Sequence, residues 1–185
     1  MYLKAIKNKL VKYPYTWNDL RDENPNVGFP SDIDDQVLKS FNMYRVVLTV
    51  PPLYDAYKEI AKEGVPVYAS STWSQTWDIV PATPEEASEN MSKLEAEYTV
   101  LVQARLDNFA KTRGYNSIND ACTYALSANA QFKLEGEYCI NARDETWSFF
   151  AGIITSAKNG VGPFHSNFAK YEIMLPRLEW PSADQ

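Results

Sequence analysis

The chain is predicted to be an α+β protein: a small, antiparallel β-rich N-terminal domain, a long connecting helix, and an antiparallel helical bundle. Three observations carry that expectation. Eight of the 11 prolines lie at or before position 84, which forbids long helices there. A complete helix-start signal follows at Thr83-Pro84-Glu85-Glu86. Apolar residues beyond it recur every three or four positions almost to residue 158.

In the first region Thr16 with Asp19 marks a helix N-cap before a single turn through Trp17 and Leu20, and ENPNVGFP then reads as a loop. Ser31 with Asp34 repeats that spacing before Val37, Leu38 and Phe41, which share one face of a short helix. Tyr44–Val50 is a β-branched run closed by Pro51-Pro52. Val65–Ala69 and Thr72–Val80 make a further β-rich pair with a turn at Ser70-Ser71. In the last of these, Trp73, Gln75, Trp77 and Ile79 alternate onto one face.

Thr83 supplies an N-cap hydroxyl, Pro84 the first helical residue and Glu86 the carboxylate that closes a capping box. The helix is expected to stop at Gly114, after about 30 residues or about 45 Å at 1.5 Å per residue. A rod of that length is expected to leave part of itself outside a compact core or against a partner. Met91, Leu94, Tyr98 and Leu101 are spaced like a coiled-coil seam and mark a helix interface, self-association included. Val102, Leu106, Phe109 and Ala110 continue a broader face built to pack on the following helices.

Those helices are expected over Ile118–Ser127, capped by Ser117 and Asp120, and over Ala130–Lys158, ending near Gly160. In the second, Phe132, Gly136, Cys139, Ile140, Arg143, Trp147, Phe150 and Ile154 recur at helical spacing. A glycine inside a helix costs up to about 1 kcal/mol against alanine, so Gly136 marks the close approach of another helix. Residues 161–185 are expected to run extended over the surface, anchored by Phe164, Phe168, Leu178 and Trp180. The division is therefore 1–82, 83–113, 114–160 and 161–185.

Composition narrows function. A net charge of −6 and a pI near 4.9 oppose general nucleic-acid binding, which needs lysine and arginine to neutralise phosphates. Lys4, Lys7, Lys9 and Lys12 precede an acidic stretch from Asp19 to Asp35, a pattern of solvated surface with local pairing. No run reaches the roughly 20 apolar residues of a spanning helix, and the N-terminus lacks the apolar core of a secretion signal. The sequence thus predicts a soluble chain made in a cytoplasm, with no membrane insertion. Cys122 and Cys139 are too few for a disulfide framework and read as buried free thiols.

Catalytic patterns are absent by spacing. The lone histidine, His165, stands in a Gly/Pro-rich loop away from any nucleophile pattern, and no G-x-S-x-G elbow occurs. Gly160-Val161-Gly162 lacks the remaining glycines and the lysine of a phosphate loop. Scattered Cys and His positions argue against a metal site. The reading is of a protein that is not an enzyme and has no cofactor and no metal.

Four stretches also carry a resemblance. Tyr13–Pro30 (YPYTWNDLRDENPNVGFP), TWSQTWDIVPATPEEA, LDNFAKTRGY and EGEYCINARDETW are together similar, in that order, to small tailed-bacteriophage proteins that assemble or accompany tail fibres. That family's aromatic-Leu-Arg-x-x-Asn-Pro-x-x-x-Phe-Pro pattern maps onto Tyr15 or Trp17, Leu20, Arg21, Asn24, Pro25, Phe29 and Pro30. The resemblance implies a non-enzymatic partner of the trimeric fibre, either a folding chaperone or a lasting virion component, in the host cytoplasm during assembly or in the virion tail. The N-terminal module is then expected to touch the fibre. A structural role is the alternative for the same residues, with Trp17 and Phe29 as core and Arg21 and Asn24 holding the loop. A receptor-binding tip protein stacking host glycan on Tyr68, Trp73 and Trp77, or a baseplate component, are the competing functions.

Overall fold

The computed structural model describes residues 1–29 and 33–181 and confirms an α+β protein, with strands confined to the first 81 residues and two long helices beyond. The chain divides into two compact units. One comprises residues 1–52 and 61–80, the other residues 53–60 and 81–185. Residues 53–60, expected to belong with the strands, are grouped with the helices.

In the first unit, β1 (Tyr2–Ile6) and β2 (Lys9–Lys12) form a hairpin. Helix α1 (Trp17–Glu23) and helix α2 (Asp35–Ser40) follow, then β3 (Met43–Val47). Strand β4 (Glu59–Glu63), whose first two residues are grouped with the second unit, precedes β5 (Val67–Ala69), β6 (Thr72–Ser74) and β7 (Trp77–Pro81), whose last residue is grouped there too. Strands β2-β1-β3-β6-β5 make one five-stranded sheet in that order, and β4 pairs with β7 in a separate ribbon.

Three expectations are corrected here. The sheet is mixed, because β3 and β6 pair in parallel. A two-residue turn joins only antiparallel strands, whereas a parallel pair needs a long crossover, and residues 48–71 supply one. The predicted strand Thr72–Val80 is broken at Gln75, and its halves enter different sheets. Gln75 is held by four hydrogen bonds. Its N–H donates to Val47 O at 2.9 Å, its carbonyl accepts from Thr49 Oγ1 at 3.0 Å, its Oε1 accepts from Thr49 N at 3.1 Å and its Nε2 donates to Glu63 at 2.7 Å. Finally, strands β1, β2 and β4 were not foreseen, although the lysines of the first two pair locally with the acidic stretch as expected.

The turn at Ser70-Ser71 is where the sequence places it, and both residues have positive φ (49° and 63°). The expected Ser31 cap lies outside the described residues, as does Pro30. Helix α2 is capped by Asp34, whose carboxylate accepts from Val37 N at 2.8 Å. The sheet carries a core on each face: Leu3, Ala5, Val46 and Trp73 on one, and Met43 with Tyr15, Leu20, Ile33 and Leu38 on the other.

In the second unit, helix α3 (Pro84–Lys111) begins with the full capping box of Thr83 and Glu86. Helix α4 (Ile118–Thr123) tightens into a 3₁₀ turn (Tyr124–Leu126) before helix α5 (Ala130–Lys158). Arg113 at the end of α3 pairs with Glu135 near the start of α5, and Lys158 at the end of α5 pairs with Glu95 early in α3. The two long helices therefore run antiparallel.

Residues 161–181 include a short helix, α6 (Ala169–Glu172), which the extended-tail expectation missed. All four expected anchors pack on the core. Trp180 stacks on Phe109 with ring centroids 4.3 Å apart and donates its indole N–H to Thr112 Oγ1 at 2.8 Å.

Candidate partner-binding surface

Helix α1 is the best-defined local structure of the first unit. Thr16 caps it, Asp19 closes the capping box, and Asn24 ends it by donating its amide side chain to Leu20 O at 2.8 Å. Lysines of the hairpin reach its acidic groups. Lys12 lies 2.6 Å from Asp19, and Lys4 pairs with Glu23. The Lys12 ammonium, with help from Thr16, holds the Asp19 carboxyl at about 2, well below the usual range. Lys4 and then the Tyr15 hydroxyl likewise lower Glu23.

This arrangement sorts the residues expected to touch the fibre. Tyr15 and Leu20 are core. Trp17 packs edge-on against Tyr2, and Phe29 against Phe41. Asn24 is a helix cap. Of the pattern's described residues, only Arg21 and Pro25 stand exposed.

The seam expected on α3 is corrected outright. Met91, Leu94 and Tyr98 are 3%, 9% and 1% exposed and belong to the core of their own unit, with Ala56, Phe164 and Tyr171. Tyr98 also donates its hydroxyl to His165 O at 2.9 Å. Residues 53–60 and 161–181 supply the partner that the seam called for, and of the four residues only Leu101 is exposed. The residues offered for glycan stacking fare similarly. Trp73 is buried, Tyr68 packs against it, and the half-buried Trp77 commits its indole N–H to Thr49.

Strand register reveals a different surface. Val47 pairs with Ser74, which pairs with Val67, and Ala69 pairs with Thr72. Paired residues share a face, and alternate residues along a strand return to it, so Val47, Val67, Ala69, Thr72 and Ser74 lie together on the face that bears Met43. Helices α1 and α2 cover that face around Met43. Over β6 and β5 it is bare: Val47 is 50% and Val67 53% exposed. Their side chains stand roughly 10 Å apart, two strand spacings. The solvent face of such a sheet ordinarily carries polar residues. Here its residues Val47, Val67, Ala69, Thr72 and Ser74 are small and three of the five are apolar, and the exposed Arg45–Asp35 ion pair borders them beside Val47.

Backbone pairing along the β5 edge is restricted. The tight turn after Ala69 makes Ala69–Thr72 a hydrogen-bonded pair, so Tyr68 turns its N–H and C=O outward while Pro66 has no N–H to give. The face, rather than the edge, is the accessible feature.

Compared with known protein families, curated proteins and solved structures, the chain matches none.

Among the described residues, no three His, Cys, Asp or Glu side chains are grouped to hold a metal, and no helix is long and apolar enough to cross a membrane. Sequence reasoning missed the bare face because it is defined by which strands pair. It also missed Gln75 as the residue that ends β6. A glutamine alternating with tryptophans was the available signal, since a polar residue on an apolar face must find buried partners.

Proposed function

We propose that the chain is a non-enzymatic tail-fibre assembly chaperone or fibre-bound accessory protein of a tailed bacteriophage. The observation that carries this reading is the bare apolar sheet face formed by Val47, Val67 and Ala69 in the unit that bears the aromatic-Leu-Arg module. Contiguous exposed apolar surface of this kind marks interaction sites. Fibre subunits present hydrophobic surface and unpaired strands before they trimerise, and such surface aggregates unless covered. A small apolar face can cover it, with the bordering Arg45–Asp35 pair available to polar groups at its margin.

In this reading the buried members of the module shape the unit rather than touch the fibre. Burying the exposed half of a valine is worth about 1 kcal/mol, so Val47 and Val67 together contribute a substantial part of a transient interface. The protein works in the host cytoplasm during assembly, and in the virion tail if it stays bound.

Co-expression of the fibre with and without this chain tests the reading. Soluble trimeric fibre is expected to require the chain, and Val67→Lys with Val47→Asp is expected to abolish that help while leaving the melting temperature in place. Unchanged fibre yield together with no co-purification would sink it. Its presence in purified particles separates a lasting component from a transient chaperone.

A further inference from the structure

Gly136 of α5 lies against the backbone of the 3₁₀ turn, where an added Cβ would stand 2.2 Å from Ala125 N and 2.6 Å from the carbonyl carbon of Tyr124. Farther along α5, Arg143 Nη1 lies 3.5 Å from Asn119 Oδ1 of α4. Position thus rises along α5 as it falls along α4, and the two elements pass each other antiparallel. Three residues forward from Gly136 is Cys139, and three residues back from Ala125 is Cys122. The two cysteines therefore stand opposite each other, about 4.5 Å along the helix from the closest backbone approach. Cys139 is wholly buried, and the partly buried Cys122 packs on the core cluster that contains it. Each thiol lies within the other's field: after burial, Cys122 is the next influence that raises Cys139. Ala121 and Ala142, both buried beside the pair, let the two backbones stay close.

We propose that Cys122 and Cys139 are a reversible disulfide pair, which staples α4 to α5 when the chain meets a small oxidising disulfide such as glutathione disulfide. The bond needs Cα atoms roughly 4.4–6.8 Å apart, and the glycine contact with its flanking alanines supplies that approach. First the Cys122 thiolate, nearer to solvent, attacks one sulfur of glutathione disulfide and expels a glutathione thiolate. The Cys139 thiolate then attacks the Cys122 sulfur of the mixed disulfide and expels the second. The two protein thiols lose two protons and two electrons, and the glutathione disulfide gains both and leaves as two thiols. Burial raises both protein thiols, so exchange passes through openings of α4, while the equilibrium depends only on how well the folded pair fits. The bond closes a loop through the 3₁₀ turn and the Asn129 cap and removes freedom from the unfolded chain. This inference uses neither the bare sheet face nor the fibre-binding reading.

Equilibrating the purified full chain with a fixed mixture of reduced and oxidised glutathione, once folded and once in denaturing guanidinium chloride, tests the proposal by mass spectrometry. The internal bond shows as the loss of two hydrogens from the monomer. Its ratio to the dithiol form is expected to be at least about tenfold higher in the folded chain, and by linkage the oxidised chain then melts a few degrees higher. Cys122→Ser and Cys139→Ser each remove one sulfur with little change of volume, and either should abolish the two-hydrogen loss. A folded ratio below that tenfold margin overturns the proposal. So does a folded chain that accumulates glutathione adducts or a covalent dimer in place of the internal bond.

Discussion

Gly136 of α5 lies so close to the 3₁₀ turn that a Cβ on it would stand 2.2 Å from the backbone nitrogen of Ala125. The obstacle is backbone, which cannot swing aside as a flexible side chain can. Gly136→Ala therefore loses more to overpacking, typically about 1–3 kcal/mol, than the up to about 1 kcal/mol that alanine returns in helix propensity. Gly152 sits in the same helix with open space around it, so Gly152→Ala should gain about 0.5–1 kcal/mol. Urea unfolding of the two variants should move the midpoint in opposite directions.

The Glu135 carboxylate, almost wholly buried, accepts from Tyr115 OH at 2.7 Å, Arg113 Nη1 at 3.0 Å and Gln131 Nε2 at 2.6 Å. Removing it strands the buried Tyr115 hydroxyl, while the partly exposed Arg113 can turn to water. Glu135→Ala is expected to cost about 1–3 kcal/mol. A double-mutant cycle with Tyr115→Phe should return a coupling of roughly 0.5–3 kcal/mol. Additive losses would show that the tyrosine bond contributes nothing.

Two hairpin turns are built without glycine. Lys7 and Asn8 have φ of 51° and 60°, and Ser70 and Ser71 have 49° and 63°. A left-handed conformation costs a residue with a Cβ roughly 1–2 kcal/mol, and such turns favour Asn-Gly. Replacing Ser70-Ser71 by Asn-Gly should raise stability by about 1 kcal/mol, read as a higher melting temperature. An unchanged melting temperature would mean that the serines bear no strain there.

Acid should loosen the first unit. Asp19 is lowered to about 2 by Lys12 and then Thr16, and Glu23 is lowered by Lys4 and then Tyr15. A depressed carboxyl stabilises the fold fully above its ordinary value, and that stability is lost as pH falls through the folded value. The window for Asp19 is thus from about 4 down to about 2. Amide exchange across α1 should quicken there, and Lys12→Met should abolish the Asp19 part of that pH dependence.

Alkali acts through buried acids of the opposite kind. Burial, and then the Glu63 hydrogen bond, pushes Tyr13 up to about 12, and burial raises Tyr15, Tyr98 and Tyr115 in the same direction. A raised acid stabilises the fold fully below its ordinary value near 10, and that contribution is lost as pH rises through the folded value. Burial also takes the Cys139 thiol up to about 12 and raises Cys122. At pH 8 neither thiol should react rapidly with a disulfide reagent in the native chain, and both should react once it unfolds. Fast native labelling of Cys139 would contradict its placement in the core.

Local signals were legible wherever their partners lie within a few residues. Thr16 with Asp19, Thr83 with Glu86, and Ser117 with Asp120 each fix a helix start by hydrogen bonds inside one turn. Gly114, with φ +87°, follows the end of α3 for a reason equally local. Even Gly136, read as a close approach, is one, although its partner is the 3₁₀ turn, which sequence reading had merged into α4.

The β1–β2 hairpin was hidden because lysines occupy its turn and edge, so that its charge masked the alternation of Leu3 and Ala5. The seam on α3 was seen correctly as apolar and assigned to the wrong partner. Met91, Leu94 and Tyr98 announce that something must cover them, and spacing alone cannot say whether that is another chain or their own.

By itself the sequence determined the α+β class, the starts of α1, α3, α4 and α5, the turn at Ser70-Ser71, and the apolar face of each long helix. These follow from backbone and side-chain chemistry acting over a few residues. Only the tertiary structure decided that β3 and β6 run parallel, that Gln75 ends β6, and that residues 53–60 and 161–181 close over α3. It also decided which apolar residues remain bare. Those outcomes depend on contacts between residues far apart in the chain, where nearly equal pairings compete and the burial achieved by the whole fold selects among them.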